Sequence, residues 1–331
     1  MKRDHLHEIG IMRAILIVSI VLGHTFAIYS GKSASWYMPD GLQTVGIYKW
    51  LNAIFIAFSL QSFVFISGYL MAYTERDEKV QITKFIQKKI HRLLLPLIIF
   101  EFAYILLINN DLSTGWGGVF YNLLLGPGHL WFLPTLFLCF LGASVFAGRK
   151  EMSLLKWVII SCLSIGSIFI PHIFRLSEAA FYFLFFIFGY YCFNSRESIK
   201  FIHTKTLVCL WFVLIILIGL KILLLEVDIP YHSIFNIFDK IILGIIGSLL
   251  LLNICFKLTK YSILLIIGSW NGFFGVYLFH QFFLKLLIYK TDILYNTNRY
   301  LYPIILFIFS LAFSILLSTL FLKNKFLKKL I

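Results

Sequence analysis

Apolar runs long enough to cross a bilayer recur ten times along these 331 residues, separated by short polar connections. A membrane-crossing helix needs about 20 mostly apolar residues. The runs lie near 10–29, 50–73, 93–109, 129–147, 153–171, 177–193, 204–225, 234–256, 262–284 and 300–322, the third and sixth being the shortest. In hydrocarbon each backbone N–H and C=O must find its partner within the protein, which a helix achieves inside one segment. The expected fold class is therefore all-α: a polytopic membrane bundle of about ten transmembrane helices, one domain over 1–331, with no soluble domain. Composition agrees, with 60% hydrophobic and 13% charged residues, where soluble domains have about half and a quarter.

The net charge of +14 is distributed by topology. The basic residues sit between apolar runs, so no nucleic-acid partner is expected. With the N-terminus inside, 21 of the 29 lysines and arginines face the cytoplasm, beginning with Lys2, Arg3 and Arg13. That asymmetry predicts both termini cytoplasmic and an even number of spans. The first run contains His24 and lacks an A-x-A cleavage site, so it reads as a retained helix rather than a signal peptide. Cys139, Cys162, Cys192, Cys209 and Cys255 are scattered through apolar runs without CxxC spacing, which predicts small core residues and no disulfide framework.

Ionisable groups at membrane depth are costly and normally face a bundle interior or a wet cavity. Arg13 and His24 bracket the run RAILIVSIVLGH, eleven positions apart. Eleven residues make about three helical turns, so the two share a face roughly 16 Å apart. His24, His129 in GPGHLWFL and His280 in GVYLFHQFF all fall at the outer leaflet, and Glu101 falls at mid-depth in the third run. Low dielectric disfavours imidazolium, so a buried neutral ring can act as a general base. The alternative for each ring is a core histidine bonded to a backbone carbonyl. Three histidines also raise a metal site, but neither HxH nor HExxH spacing supports one. Glu101 reads as a proton relay or as a partner for Tyr or Lys.

The connection TERDEKVQITKFIQKKIHRLLLP places Lys84, Lys88 and Arg92 at i, i+4 and i+8, one stripe if helical. It reads either as ordinary anchoring or as a dock for a phosphorylated cytoplasmic ligand. Small residues recur at Ser67 and Gly68 in SFVFISGYL and around Asn271 in GSWNGFFG, where helices or a ligand can approach closely.

Five of these features occur in a fixed order. They are Arg-x10-His, FVFISGYL, a basic segment running into RLLLP, HLWFL and GVYLFH. The order resembles acyltransferase family 3, bacterial integral-membrane acyltransferases that include surface-polysaccharide O-acetyltransferases, and it covers essentially the whole chain. The resemblance implies transfer of an acyl group, usually acetyl from cytoplasmic acetyl-CoA, to a sugar hydroxyl on the outer side. By position it makes His24 the catalytic residue and Arg13 an essential charge near the donor. Ser67 and Gly68 match the second-helix motif, and Trp131 the fourth.

The sequence departs from the family pattern in two places. Lys89 and Arg92 stand where two arginines three apart are usual, and Phe273-Phe274 replace a Ser-Tyr pair before His280. The sequence also ends after the tenth run without the soluble hydrolase-like domain some members carry, so acceptor handling is expected from the membrane part or another protein.

The expected enzyme is a multi-pass O-acetyltransferase of the bacterial cytoplasmic membrane. Its donor substrate is acetyl-CoA, with no permanently bound cofactor or metal, and its acceptor is a surface glycan or lipid-linked precursor. Lys84, Lys88, Lys89, Arg92, Ser67 and Gly68 are the donor-side candidates. His129, Trp131, Glu101, Asn271 and His280 are acceptor-side or supporting candidates. The alternative is an exporter or flippase of a polysaccharide or lipid-linked sugar.

Overall fold

A computed structural model of the chain describes residues 6–31, 42–75, 81–105, 128–144, 152–224, 232–291 and 297–331. Among the described residues there is no strand. The α-helices are α1 His7–Ala27, α2 Gly46–Ile56, α3 Ser59–Glu75, α4 Ile82–Lys89, α5 Leu95–Tyr104, α6 Phe132–Ala143 and α7 Leu154–Ile165. They continue as α8 Leu176–Cys192, α9 Arg196–Lys200, α10 Thr204–Leu224, α11 His232–Leu258, α12 Ser262–Ser269, α13 Phe273–Tyr289 and α14 Tyr302–Lys323.

Every one of the ten apolar runs carries helix, but the described helices give fewer full-length spans than ten. Six stretches are long and apolar enough to cross a membrane: His7–Ala27, Gly46–Glu75, Ile173–Cys192, Lys205–Leu223, Phe235–Leu258 and Tyr302–Lys323. A seventh arises if α12 and α13 form one broken span. The shortfalls have local causes. The third run extends beyond Ile105, outside the described residues. The fourth and fifth are short apolar helices, Gly128–Ala143 and Leu154–Phe169. Pro171 follows the latter, and the residue before a proline avoids helical backbone, as the extended Ile170 shows. The ninth run, expected to be continuous, breaks at Trp270, Asn271 and Gly272, where Trp270 is extended and two poor helix formers follow.

The chain divides into two compact units. The first comprises residues 1–63, 195–273 and 294–311. Its centre is α1, which packs against α2, α11 and α12. Lipid is as apolar as leucine, so helices associate through small residues and polar contacts rather than hydrophobicity. Gly10 meets the Gly268 carbonyl so closely that a Cβ there would overlap it, and Gly23 is filled in the same way by Ile56. Asn52 Nδ2 donates to the Gly23 carbonyl at 2.6 Å, and Ser62 and Ser248 share a buried hydroxyl contact of 2.9 Å. α10 is far less buried than α1 and presents Phe212, Ile215 and Ile216 outward.

The second unit comprises residues 64–194, 274–293 and 312–331. The sixth apolar run forms a well-enclosed helix, α8, where Phe185, Phe186 and Ile187 are fully buried. α3 lies backbone to backbone on α8: a Cβ on Gly68 would overlap the Phe186 carbonyl, and one on Gly189 the Phe65 carbonyl. Aromatic pairs complete the packing, including Phe140–Phe186 at 4.8 Å and Phe100–Phe279 at 5.1 Å between ring centroids.

Candidate functional site

In the first unit α1 runs unbroken from His7 to Ala27 and so carries Arg13 and His24 on one face. Both are half-buried, while Ile17 and Ile20, between them on that face, are buried. The fixed rise of a helix sets their spacing at roughly 16 Å. The N-terminal end of α1 is anchored by Glu8, whose Oε1 accepts from Arg196 Nε and Nη2, each at 2.9 Å. Glu8 is 3% exposed, so this pair is desolvated on one side. It also sets a carboxylate at the positive end of the helix dipole. The other end is set by aromatics: Phe26 stacks on Tyr48 at 5.1 Å, and the Tyr48 hydroxyl donates to the Tyr300 carbonyl. Asn271 lies exposed at the break between α12 and α13.

In the second unit α4 and α5 are joined through a π-helical turn, Ile90–Leu94. Pro96 lacks an N–H and its ring crowds the carbonyl four residues back, which widens the helix at this point. Lys84, Lys88 and Arg92 are all exposed. Lys89 differs: its Nζ lies 3.5 Å from the Phe140 ring centroid, a cation–π contact that ties the segment to α6. Gly68 is occupied by the α8 backbone and Ser67 is half-buried beside it. Glu101 is fully buried, and neither carboxylate oxygen has a hydrogen-bond partner among the described residues.

His129 and His280, 151 positions apart in sequence, meet with ring centroids 4.9 Å apart. Gly128, in the left-handed region at φ 54°, lets the chain turn into this cluster. His129 N–H donates to Gln281 Oε1 at 3.2 Å, and its Nε2 donates to the Leu278 carbonyl at 3.1 Å. The Tyr277 hydroxyl donates back to the His129 carbonyl. His280 Nδ1 donates to the Tyr277 carbonyl at 2.7 Å. Each ring thus has one nitrogen on a backbone carbonyl of α13, which fixes its tautomer in the neutral state. Trp131 immediately precedes α6 next to this group and is half-buried, 5.9 Å from the Tyr182 ring.

The structure therefore joins Arg13 to His24 through one helix and gathers His129, His280 and Trp131 in one unit. Three charged groupings escape sequence reasoning: Glu8–Arg196, Arg175–Glu178 at 2.8 Å, and Lys221–Asp239 at 2.9 Å. The first left no local signal; Arg175 and Glu178 are opposite charges three positions apart, and Lys221 and the Asp239-Lys240 pair are charges inside two apolar runs. Among the described residues no three His, Cys, Asp or Glu side chains are grouped to hold a metal ion. All five cysteines are free.

A family model described as an acyltransferase domain matches residues 6–323. The chain belongs to acyltransferase family 3. With its apolar helices, that membership defines a multi-pass membrane acyltransferase. No curated protein and no solved structure matches the chain.

Proposed function

We propose that the protein is an O-acyltransferase of the bacterial cytoplasmic membrane. It moves an acetyl group from cytoplasmic acetyl-CoA to a sugar hydroxyl of a surface polysaccharide or its lipid-linked precursor. The observation that carries this reading is the unbroken α1, with Arg13 and His24 on one face three turns apart. CoA is a phosphate-rich head joined by a long arm to a thioester. A guanidinium at the inner end of the helix suits the head, and an imidazole deeper along the same face suits the thioester. His24 takes the proton from the sugar hydroxyl as its oxygen attacks the thioester carbon. The C–O bond forms, the C–S bond breaks, and the proton passes to the CoA sulfur. The exposed Lys84, Lys88 and Arg92 supply further positive charge for the donor.

The topology read with this function has ten spans and both termini inside. Contacts within each unit support it, because segments assigned to the same side group together. Glu8 meets Arg196 at one end of the first unit, and Gln43 meets Arg299 at the other. In the second unit Glu75 meets Tyr190 at one end, and His129 meets Gln281 at the other.

The test is transfer by the purified protein in nanodiscs. The donor is radiolabelled acetyl-CoA, and the acceptor is the producing cell's surface polysaccharide stripped of esters with mild alkali. Alkali-labile label on the glycan is expected. A protein that moves the glycan across vesicles without forming ester would be an exporter and would overturn the reading.

A further inference from the structure

The second unit carries an unusual charged and aromatic cluster just before α8. Phe174 and Arg175 have φ of 50° and 60°, the only non-glycine residues with positive φ among the described residues. A side chain in that region is strained, and two in succession persist only where the surroundings hold them. Here the strained turn sets the Arg175 guanidinium over Trp131, 5.9 Å from its ring centroid, with Nη1 2.8 Å from Glu178 Oε1. His172 Nδ1 reaches the same oxygen at 3.3 Å. Glu178 Oε2 is buried and has no hydrogen-bond partner among the described residues. Trp131 also packs on Tyr182, so the platform is seated on the unit's core.

We infer that Trp131, Arg175, Glu178 and His172 form the binding subsite for the sugar acceptor; only the identity of its ligand rests on the function proposed above. The chemistry selects the ligand class. Arg175 and Glu178 neutralise each other, which disfavours a phosphate or another anion and favours a neutral, hydroxyl-rich ligand. The half-buried indole offers its exposed part as an apolar wall for a sugar ring. The Glu178 carboxylate can accept from a sugar hydroxyl, and the guanidinium can donate to a neighbouring hydroxyl oxygen. Few polar groups converging on an aromatic wall are how small-molecule sites fix orientation. Side-chain exposure of 73%, 22% and 19% for His172, Arg175 and Glu178 grades the cluster from open rim to enclosed base.

The test measures equilibrium binding of oligosaccharides from the de-esterified surface polysaccharide to the full chain in nanodiscs, without donor. Arg175→Gly is the sharpest variant, since glycine suits the backbone while the guanidinium is lost. Relief of the left-handed strain offsets the lost ion pair with Glu178, so its thermal midpoint should change little while its Kd rises at least tenfold. Trp131→Leu should weaken binding similarly, and Glu178→Gln at least threefold, with KM for acetyl-CoA within twofold of wild type. Unchanged oligosaccharide binding by Arg175→Gly and Trp131→Leu, or no binding by the wild type, would overturn the subsite. Binding that depends on these residues without acetyl transfer would overturn the enzymatic reading and leave the subsite standing. Transfer with unaltered acceptor KM in the variants would do the reverse.

Discussion

His24 and His280 give the same signal in the sequence, a lone histidine late in an apolar run, yet the structure treats them differently. His24 is half-buried on a helix face it shares with Arg13. His280 is fully buried, its Nδ1 on the Tyr277 carbonyl and its ring against His129. A proton-transfer group must meet its substrate, so enclosure separates the two better than depth does. The same division holds for the cations. Lys84, Lys88 and Arg92 are exposed, whereas Arg196 and Lys221 are committed to Glu8 and Asp239.

The largest expected effect tests this division directly. His24→Gln keeps bulk and hydrogen bonding but cannot accept a proton, so acetyl transfer should fall by about 10²–10⁴-fold with little change in thermal midpoint. His280→Gln should do the opposite. Losing a buried hydrogen bond and a ring contact should lower stability by about 1–3 kcal/mol, while transfer per folded molecule stays within tenfold. Equal losses of turnover in both variants would erase the contrast. Arg13→Ala should raise KM for acetyl-CoA well beyond Arg13→Lys, as expected if its charge serves the donor.

The committed charges provide a stability test. Lys221–Asp239 lies where α10 meets α11, with Asp239 3% exposed. Lys240, next in sequence, also interacts with Asp239, so Lys221→Met removes one of two cations around a buried carboxylate and should cost about 1–3 kcal/mol. Lys221→Met with Asp239→Leu should recover less of that loss than Lys221→Met with Asp239→Leu and Lys240→Met, because the double variant leaves Lys240 without its carboxylate. Thermal unfolding of the single, double and triple variants in nanodiscs reads both, and transfer activity should track folded fraction throughout.

What could be read from sequence follows from how local each feature is. Arg13 and His24 needed only the helical period, because both lie on one uninterrupted element. Each apolar run gave its helix because bilayer thickness and the backbone's need for internal hydrogen bonds act segment by segment. The break at Trp270–Gly272 was hidden, because its apolar surroundings outweigh two weak helix formers. Glu8 and Arg196 are 188 residues apart, and no local pattern announces such a pair. The strained Phe174-Arg175 turn was hidden for the opposite reason, since left-handed backbone is normally announced by glycine or asparagine. Gly68 was legible as a site of close approach, but the sequence could not say that an α8 carbonyl, rather than a ligand, makes that approach.

The smallest expected effect concerns the exposed stripe, where the two readings left open by sequence diverge. Exposed charges interact weakly through water and are screened by salt, so three of them cannot dominate catalysis. They can raise donor capture at the membrane surface, because acetyl-CoA carries several phosphate charges. Replacing Lys84, Lys88 and Arg92 together with Gln should raise KM for acetyl-CoA by about threefold to tenfold while kcat changes less than twofold. The wild-type advantage should shrink as salt is raised from low ionic strength to about 0.5 M, where the screening length is only a few ångströms. Lys89 provides the internal control. Its contact with Phe140 couples α4 to α6, so Lys89→Gln should lower the thermal midpoint slightly and leave that salt dependence in place. An unchanged KM in the triple variant, with reduced membrane insertion, would make the stripe an anchor and confine donor recognition to Arg13.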